Sequence, residues 1–220
     1  MSDDTTHWQE WHEPYDTPGS YLSRRLAAVQ QRLREAIEAC GPGPIRILSL
    51  CAGQGRDVLG VLADHPRAED ISGRLVELDD ANVAWARGFA AEHDLRGIEI
   101  VAGDASSSDA AIGAVPADIV LLCGIFGNIA DTDIEHTVRM APMLCAPGAT
   151  VLWTRHREEP DLTPSTRRWF ADAGFAEVGF DAPDDALFGV GSHRLVVDPS
   201  PFEAGVRLFT FVGDGHLGHR

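Results

Sequence analysis

The stretch at positions 45–55, IRILSLCAGQG, constrains the fold of this chain more than any other. Its first six residues are mostly apolar, which is typical of a buried strand. A helical pattern begins directly after the stretch, and small residues lie between the two: Cys51, Ala52, Gly53 and Gly55. Glycine has no Cβ, so a ligand can approach the backbone closely, and the free N–H groups of a helix start can bind it. The stretch therefore predicts a strand, a ligand-binding turn and a helix.

Two common nucleotide-binding patterns do not fit this turn. A dinucleotide site requires G-x-G-x-x-G, but Val58 stands where the third glycine should be. A phosphate-binding P-loop requires a Lys after its last glycine, and no Lys follows here. A nicotinamide-dependent oxidoreductase is therefore the less favoured alternative.

The stretch resembles the first motif of class I S-adenosylmethionine-dependent methyltransferases, an apolar strand followed by hydrophobic-Asp-hydrophobic-Gly-x-Gly-x-Gly. Aligned on the last two glycines, the family's Asp falls on Ser49 and its first glycine on Cys51. The resemblance implies contacts with the cofactor at Cys51, Ala52, Gly53 and Gly55. The two departures keep a second hypothesis open, a related protein that binds the cofactor without catalysing transfer.

Acidic residues follow the next predicted strand, which spans 73–79. An α/β unit brings this strand back beside the first, so its end lies near the glycine turn. A carboxylate there can accept hydrogen bonds from both hydroxyls of a ribose. We expect Asp79 to take this role, with Asp80 beside it in the cofactor site and capping the next helix, and Glu77 as the alternative on the same face.

The third predicted strand, 98–101, is followed by Gly103, Asp104 and Ala105. This arrangement resembles the family's third motif, in which Gly-Asp-Ala follows an apolar strand. The resemblance implies that Asp104 accepts a hydrogen bond from the adenine 6-amino group, and that the backbone at Ala105 serves a ring nitrogen. The alternative is that Asp104 caps a short helix over 106–114.

The fourth predicted strand, 116–124, is apolar throughout, as a central parallel strand should be. In the family this strand ends under the methylsulfonium group. The resemblance therefore implies cofactor contacts at Cys123 and Gly124, and substrate contacts at Phe126 and Asn128. Methyl transfer requires no thiol nucleophile, so we expect Cys123 to be a small buried residue.

The C-terminal part predicts a fifth strand at 149–154, a sixth at 175–180 and an alternating last strand at 206–212, with a long loop over 181–205. The order of elements predicts an α/β fold of the Rossmann-like methyltransferase type. It consists of one domain with a seven-stranded, mostly parallel sheet, an antiparallel last strand and helices on both faces. We expect residues 1–44, an aromatic arm and a helix, to cap the substrate side of the cofactor domain at 45–220.

Several polar residues should reach the carboxyl edge of this sheet. We expect His156 and His193 there as candidate general bases, although a structural role is common for histidine. Arg155 is a candidate partner for a substrate carboxylate, and His12 can approach from the arm.

Composition limits the partners of this site. The formal net charge of −16 disfavours nucleic acid, which leaves a small-molecule methyl acceptor. The four cysteines form no Cys-x-x-Cys pair, so we expect reduced thiols, no metal and a cytoplasmic location. The acidic, polar N-terminus is unlike a signal peptide, and the longest apolar run is too short to span a membrane.

Overall fold

The computed structural model describes residue 17 and residues 19–212, which form one seven-stranded sheet with helices on both faces. The strands are β1 (Ile45–Leu50), β2 (Ile71–Glu77), β3 (Ile98–Ala102), β4 (Ala117–Leu122), β5 (Cys145–His156), β6 (Phe175–Asp181) and β7 (Phe188–Leu195). The helices are α1 (Tyr21–Ala39), α2 (Val58–Leu62), α3 (Asp80–Glu92), α4 (Asp131–Met140) and α5 (Thr163–Asp172). None of these helices is long and apolar enough to cross a membrane.

The strand order is β3-β2-β1-β4-β5-β7-β6. Strands β1 to β5 pair in parallel, and β7 lies antiparallel between β5 and β6. The chain moves outward from β1 to β3 and then returns to the other side of β1 as β4. Ligands of open α/β sheets bind in the crevice that such a change of direction creates at the carboxyl ends of the strands. The topology therefore places the candidate site beyond the ends of β1 and β4.

Two apolar layers hold the helices against the sheet. Alternate side chains of β1 point to opposite faces, because the side-chain period of a strand is two. Ile45 and Ile47 pack with α1, α2 and α3, whereas Leu48 and Leu50 pack with α4 and α5. The predicted fold class, with helices on both faces and one antiparallel strand, is confirmed.

The prediction for the last strand was wrong in position. The antiparallel strand is β7, inside the segment predicted to be a loop, and residues 206–212 form only isolated bridges to Ser107 and Ile129. Strand β7 is buried on both faces, so it lacks alternation, and its glycines, Ser192 and His193 also interrupt the continuous apolar run that is typical of such a strand. Its glycines make room for large neighbours: a Cβ at Gly189 would lie 2.9 Å from the Phe180 ring. We call residues 203–212 the C-terminal strap.

Candidate active site

The glycine turn after β1 has three residues in the left-handed region of backbone conformation. Cys51, Gly53 and Gly55 have φ values of 55°, 56° and 65°. A Cβ at Gly55 would lie 2.5 Å from the Leu75 side chain, so this position requires glycine. Cys51 adopts the same left-handed conformation at a cost of roughly 1–2 kcal/mol. The turn therefore has a glycine-like backbone at Cys51, although the residue is not glycine.

Glu77, the last residue of β2, is the carboxylate that faces this turn. Its Oε2 accepts a hydrogen bond from the Gly53 N–H at 2.7 Å, and its Oε1 accepts one from the Asp79 N–H at 2.9 Å. Each carboxylate oxygen has two lone pairs. Glu77 therefore keeps one further acceptor position on each oxygen, directly beside the glycine turn.

Asp79 and Asp80 do not have the positions predicted for them. Asp79 is the N-cap of α3, and its Oδ1 accepts a hydrogen bond from the Asn82 N–H at 2.8 Å. Asp80 is the exposed first residue of the helix and not its cap. The strand ends two residues before the predicted end, so the cap follows it at Asp79. The alternative, Glu77, is the acid at the strand end.

Asp104 follows β3 and is held from two sides. Its Oδ1 accepts hydrogen bonds from the Ser106 N–H at 2.9 Å and the Ser106 hydroxyl at 2.5 Å. Its Oδ2 accepts one from Arg207 Nη1 at 3.1 Å. The Ser106 hydrogen bonds, helped by Arg207, hold the pKa of this carboxyl below its usual range. Ala105 beside it is buried, and the roles predicted for Asp104 and Ala105 stay predictions.

A cleft opens between α1 and the glycine turn. The lining combines apolar, charged and strand-end residues: Arg25, Leu26, Val29, Cys51, Ala52, Gly53, Gln54, Arg56, Asp57, Cys123, Gly124 and Thr154. Three of the four predicted turn positions, all except Gly55, and both predicted residues after β4 thus line one cleft.

Asp57 is an acidic residue that lines this cleft, and the sequence analysis did not single it out. Its Oδ1 accepts a hydrogen bond from the Val58 N–H at 2.8 Å. Burial raises the pKa of Asp57 to about 6, against the opposite effect of that hydrogen bond and of Arg25. The carboxylate is therefore charged at neutral pH and becomes neutral in mildly acidic solution.

The residues after β4 form a second tight turn at the cleft. Gly124 has a φ of 77°, and its N–H donates to the Thr154 hydroxyl oxygen at 2.9 Å. The Asn128 side-chain amide donates to the Gly124 carbonyl at 2.7 Å and so closes the turn. Burial raises the pKa of the Cys123 thiol well above its usual value, so the thiol is protonated at neutral pH.

Two residues predicted to contact substrate are instead part of the core. Phe126 is fully buried, with its ring centroid 6.0 Å from that of Trp153. Arg155 is 2% exposed, and its guanidinium donates to the Phe126 carbonyl. These predictions were wrong because the chain after β4 folds back over β5, which covers both side chains. The predicted residue His12 lies outside the described residues.

The two candidate bases lie at different levels of the sheet. His156 is the last residue of β5, and its ring packs against the Gly127 backbone at the carboxyl edge. His193 lies level with Val151 in the middle of β5, and is 1% exposed. The Trp153 indole N–H donates to His193 Nδ1 at 3.1 Å. Burial lowers the pKa of His193 to about 4, so the expectation that it reaches the edge as a base was wrong.

The sequence was compared with models of protein families and with curated proteins. A family model described as "Putative methyltransferase" matches residues 21–168, which is more than half of the chain. The chain belongs to this methyltransferase family. A comparison with curated proteins found no sequence match.

Several solved methyltransferase structures share the fold of this family member. An O-methyltransferase family protein from Burkholderia thailandensis aligns with a TM-score of 0.65 at 18% identity, over 91% of this chain and 61% of its own. The chain thus spans less than two thirds of that protein. Magnesium protoporphyrin IX methyltransferase from Synechocystis PCC 6803, with bound S-adenosylmethionine, aligns with a TM-score of 0.64 at 10% identity, over 87% and 92% of the two chains. At these identities the likeness establishes the fold.

Proposed function

We propose that this protein binds S-adenosylmethionine at the carboxyl edge of β1, β2 and β4 and transfers its methyl group to a small-molecule acceptor. The observation that carries the proposal is the Glu77 carboxylate, which lies beside the glycine turn with one open acceptor position on each oxygen. Two adjacent acceptors suit the vicinal hydroxyls of a ribose.

The surrounding residues fit the other parts of such a cofactor. Asp104 is a charged acceptor for an exocyclic amine of the base. Leu78, which follows Glu77, is an apolar side chain with 71% exposure, so it offers a surface on which a base can lie. Arg25 and Asp57 line the cleft between α1 and the glycine turn and carry opposite charges, which suits the carboxylate and ammonium of an amino acid.

The cofactor would supply an electrophilic methyl group when bound. The protein's own contribution is to hold the acceptor in line and to keep water out. The Gly124 turn, fixed by Thr154 and Asn128, forms the wall where the cleft meets the end of β4. The predicted base His156 lies at the same edge, but both of its ring nitrogens are buried in the described structure, so we assign it no proton transfer, and the reaction relies on alignment of the acceptor.

Support for a small acceptor comes from charge, because proteins of similar fold include an RNA methyltransferase from Salinibacter ruber as well as enzymes of small molecules. The net charge of −16 opposes binding to a phosphate backbone. Among proteins of similar fold are the magnesium protoporphyrin IX enzyme and an O-methyltransferase family 2 protein from Planctomyces limnophilus in complex with apigenin. We place the reaction in the cytoplasm, where the four free cysteines would stay reduced.

The glycine-like backbone at Cys51 supports cofactor binding, which the catalytic and the non-catalytic hypotheses share, so turnover must separate the two. The departure from the family motif at this residue leaves the turn in the left-handed conformation. The other departure, Ser49, is 1% exposed within β1 and so does not narrow the cleft.

Turnover tests the proposal directly. The protein is incubated with S-adenosylmethionine and a panel of phenols, carboxylic acids and amines, and S-adenosylhomocysteine is quantified by mass spectrometry. We expect acceptor-dependent product with at least one class, and none with Glu77→Gln as the matched control. Cofactor binding without product from any class would instead support the non-catalytic protein.

A further inference from the structure

The C-terminal strap is joined by hydrogen bonds to the loop that follows β3. The Ser108 N–H donates to the Val206 carbonyl at 2.9 Å, and the Leu208 N–H donates to the Ser106 carbonyl at 2.8 Å. The Ser108 hydroxyl and the Asp109 carboxylate add hydrogen bonds to Glu203 and Gly205. The strap therefore has a fixed register against the loop that carries Asp104.

The other side of the strap is anchored equally firmly. The Thr137 hydroxyl donates to the Leu208 carbonyl at 2.8 Å, and the Thr210 N–H donates to Asp133 Oδ2 at 2.8 Å. Leu208 and Phe209 are each 1% exposed. Hydrogen bonds on both sides of Arg207, at Val206 and Leu208, hold its backbone beside the loop after β3, from which its side chain reaches Asp104.

Arg207 completes the set of donors around the Asp104 carboxylate. Its guanidinium donates to Asp104 Oδ2 at 3.1 Å and to the Ser106 hydroxyl oxygen. The Ser106 N–H and hydroxyl occupy both lone pairs of Oδ1. Of the four lone pairs, one on Oδ2 stays open. Asp104 thus presents one acceptor in a fixed direction, whereas Glu77 presents two.

We propose that Arg207 is a positioning residue that orients Asp104 toward a single N–H donor and so sets the selectivity of the site for a base with an exocyclic amine. This inference rests on the proposed function. The two hydroxyls of a ribose need two acceptors, and Glu77 has two open acceptor positions. A single amine N–H needs one acceptor, and Asp104 has one. Fixing the carboxylate before the ligand arrives removes an ordering cost from binding.

Stability alone does not account for this ion pair. The side chains of Arg207 and Asp104 are 61% and 55% exposed, and exposed pairs contribute little to folding. Selectivity for the ligand, rather than the melting temperature, should therefore respond to substitution of Arg207.

The test compares two ligands by calorimetry: S-adenosylhomocysteine and its analogue whose base lacks the 6-amino group. We expect the unmodified protein to prefer the amino form by about 10- to 100-fold, the effect of one charge-assisted hydrogen bond. In Arg207→Ala the preference should fall by about tenfold, because only the amino form loses affinity. Arg207→Lys should recover part of the preference.

Arg96→Ala is the matched control, since Arg96 forms an exposed ion pair with Asp94, at 2.7 Å, on another part of the surface. It should leave both affinities unchanged. An unaltered preference in Arg207→Ala, or an equal loss for both ligands, would overturn the positioning role. Absence of S-adenosylhomocysteine binding to the unmodified protein would instead overturn the proposed function itself, and with it this inference.

Discussion

Glu77 and Asp79 are two carboxylates of the same strand-to-helix connection, yet the structure uses them differently. Glu77 ends β2 and faces the glycine turn, where it accepts the Gly53 N–H. Asp79 is turned toward α3 and caps it through the Asn82 N–H. The carboxylate that can serve a ligand is therefore the one on the last residue of the strand. An acid beyond that end satisfies the helix instead.

The largest effect should follow from Glu77→Gln. This substitution preserves size but replaces one acceptor oxygen with a donor and removes the charge. The substitution would weaken two charge-assisted hydrogen bonds to a ribose, each of which contributes about 1.5–3 kcal/mol to binding. The affinity for S-adenosylhomocysteine should therefore fall roughly 100-fold or more. Isothermal titration checks this. An affinity within threefold of the unmodified protein would show that Glu77 does not bind the ligand.

Asp57 is a third carboxylate near the glycine turn, and it differs from a typical aspartate in that its pKa lies near neutral pH. Because its pKa is about 6, it is charged above that pH and neutral below it. If it pairs with the ammonium of the ligand, affinity for S-adenosylhomocysteine should be constant from pH 8 to 7 and fall about tenfold as the pH drops through 6. The variant Asp57→Asn should bind S-adenosylhomocysteine weakly at pH 7.5, and its affinity should not decrease further as the pH drops through 6. A fall of the same size in the variant would assign the titration to another group.

Asp79→Ala should affect stability and leave binding unchanged. Loss of the N-cap should lower the free energy of unfolding by about 1 kcal/mol, measured by urea denaturation. Affinity for S-adenosylhomocysteine should stay within threefold. The opposite result, intact stability with a large loss of affinity, would reverse the assignment of the two acids.

The smallest effect is expected at Cys51. Cys51→Gly relieves the left-handed strain but gives the unfolded chain more freedom, and these terms are of similar size. The free energy of unfolding should therefore change by less than about 1 kcal/mol, with affinity preserved. Cys51→Val, a β-branched residue at a φ of 55°, should destabilise the protein more. Equal stability of the two variants would mean that the turn does not constrain this position.

The sequence predicts the parts of this molecule that depend on continuous local patterns. The apolar runs of β1 and β4 and the glycine turn between β1 and α2 lie where expected, because a buried parallel strand and a tight turn each leave a local signature. Strand β7 was missed because it is buried on both faces and yet contains two glycines, Ser192 and His193, so it shows neither alternation nor a continuous apolar run. The strap was mistaken for a strand because its residues alternate.

Side-chain positions set by distant contacts could not be predicted from the sequence. The burial of Phe126 and Arg155 depends on how the chain after β4 folds over β5, and the contact of Arg207 with Asp104 joins residues far apart in the chain. The choice between Glu77 and Asp79 depended on a strand end, which propensity locates only to within a few residues.

The central claim is that this site binds an adenosine-containing sulfonium cofactor. The most direct test is calorimetric titration of the unmodified protein with S-adenosylmethionine, S-adenosylhomocysteine and NAD. We expect micromolar binding of the first two ligands and no binding of NAD. Binding of NAD, or of none of the three, would contradict the central claim.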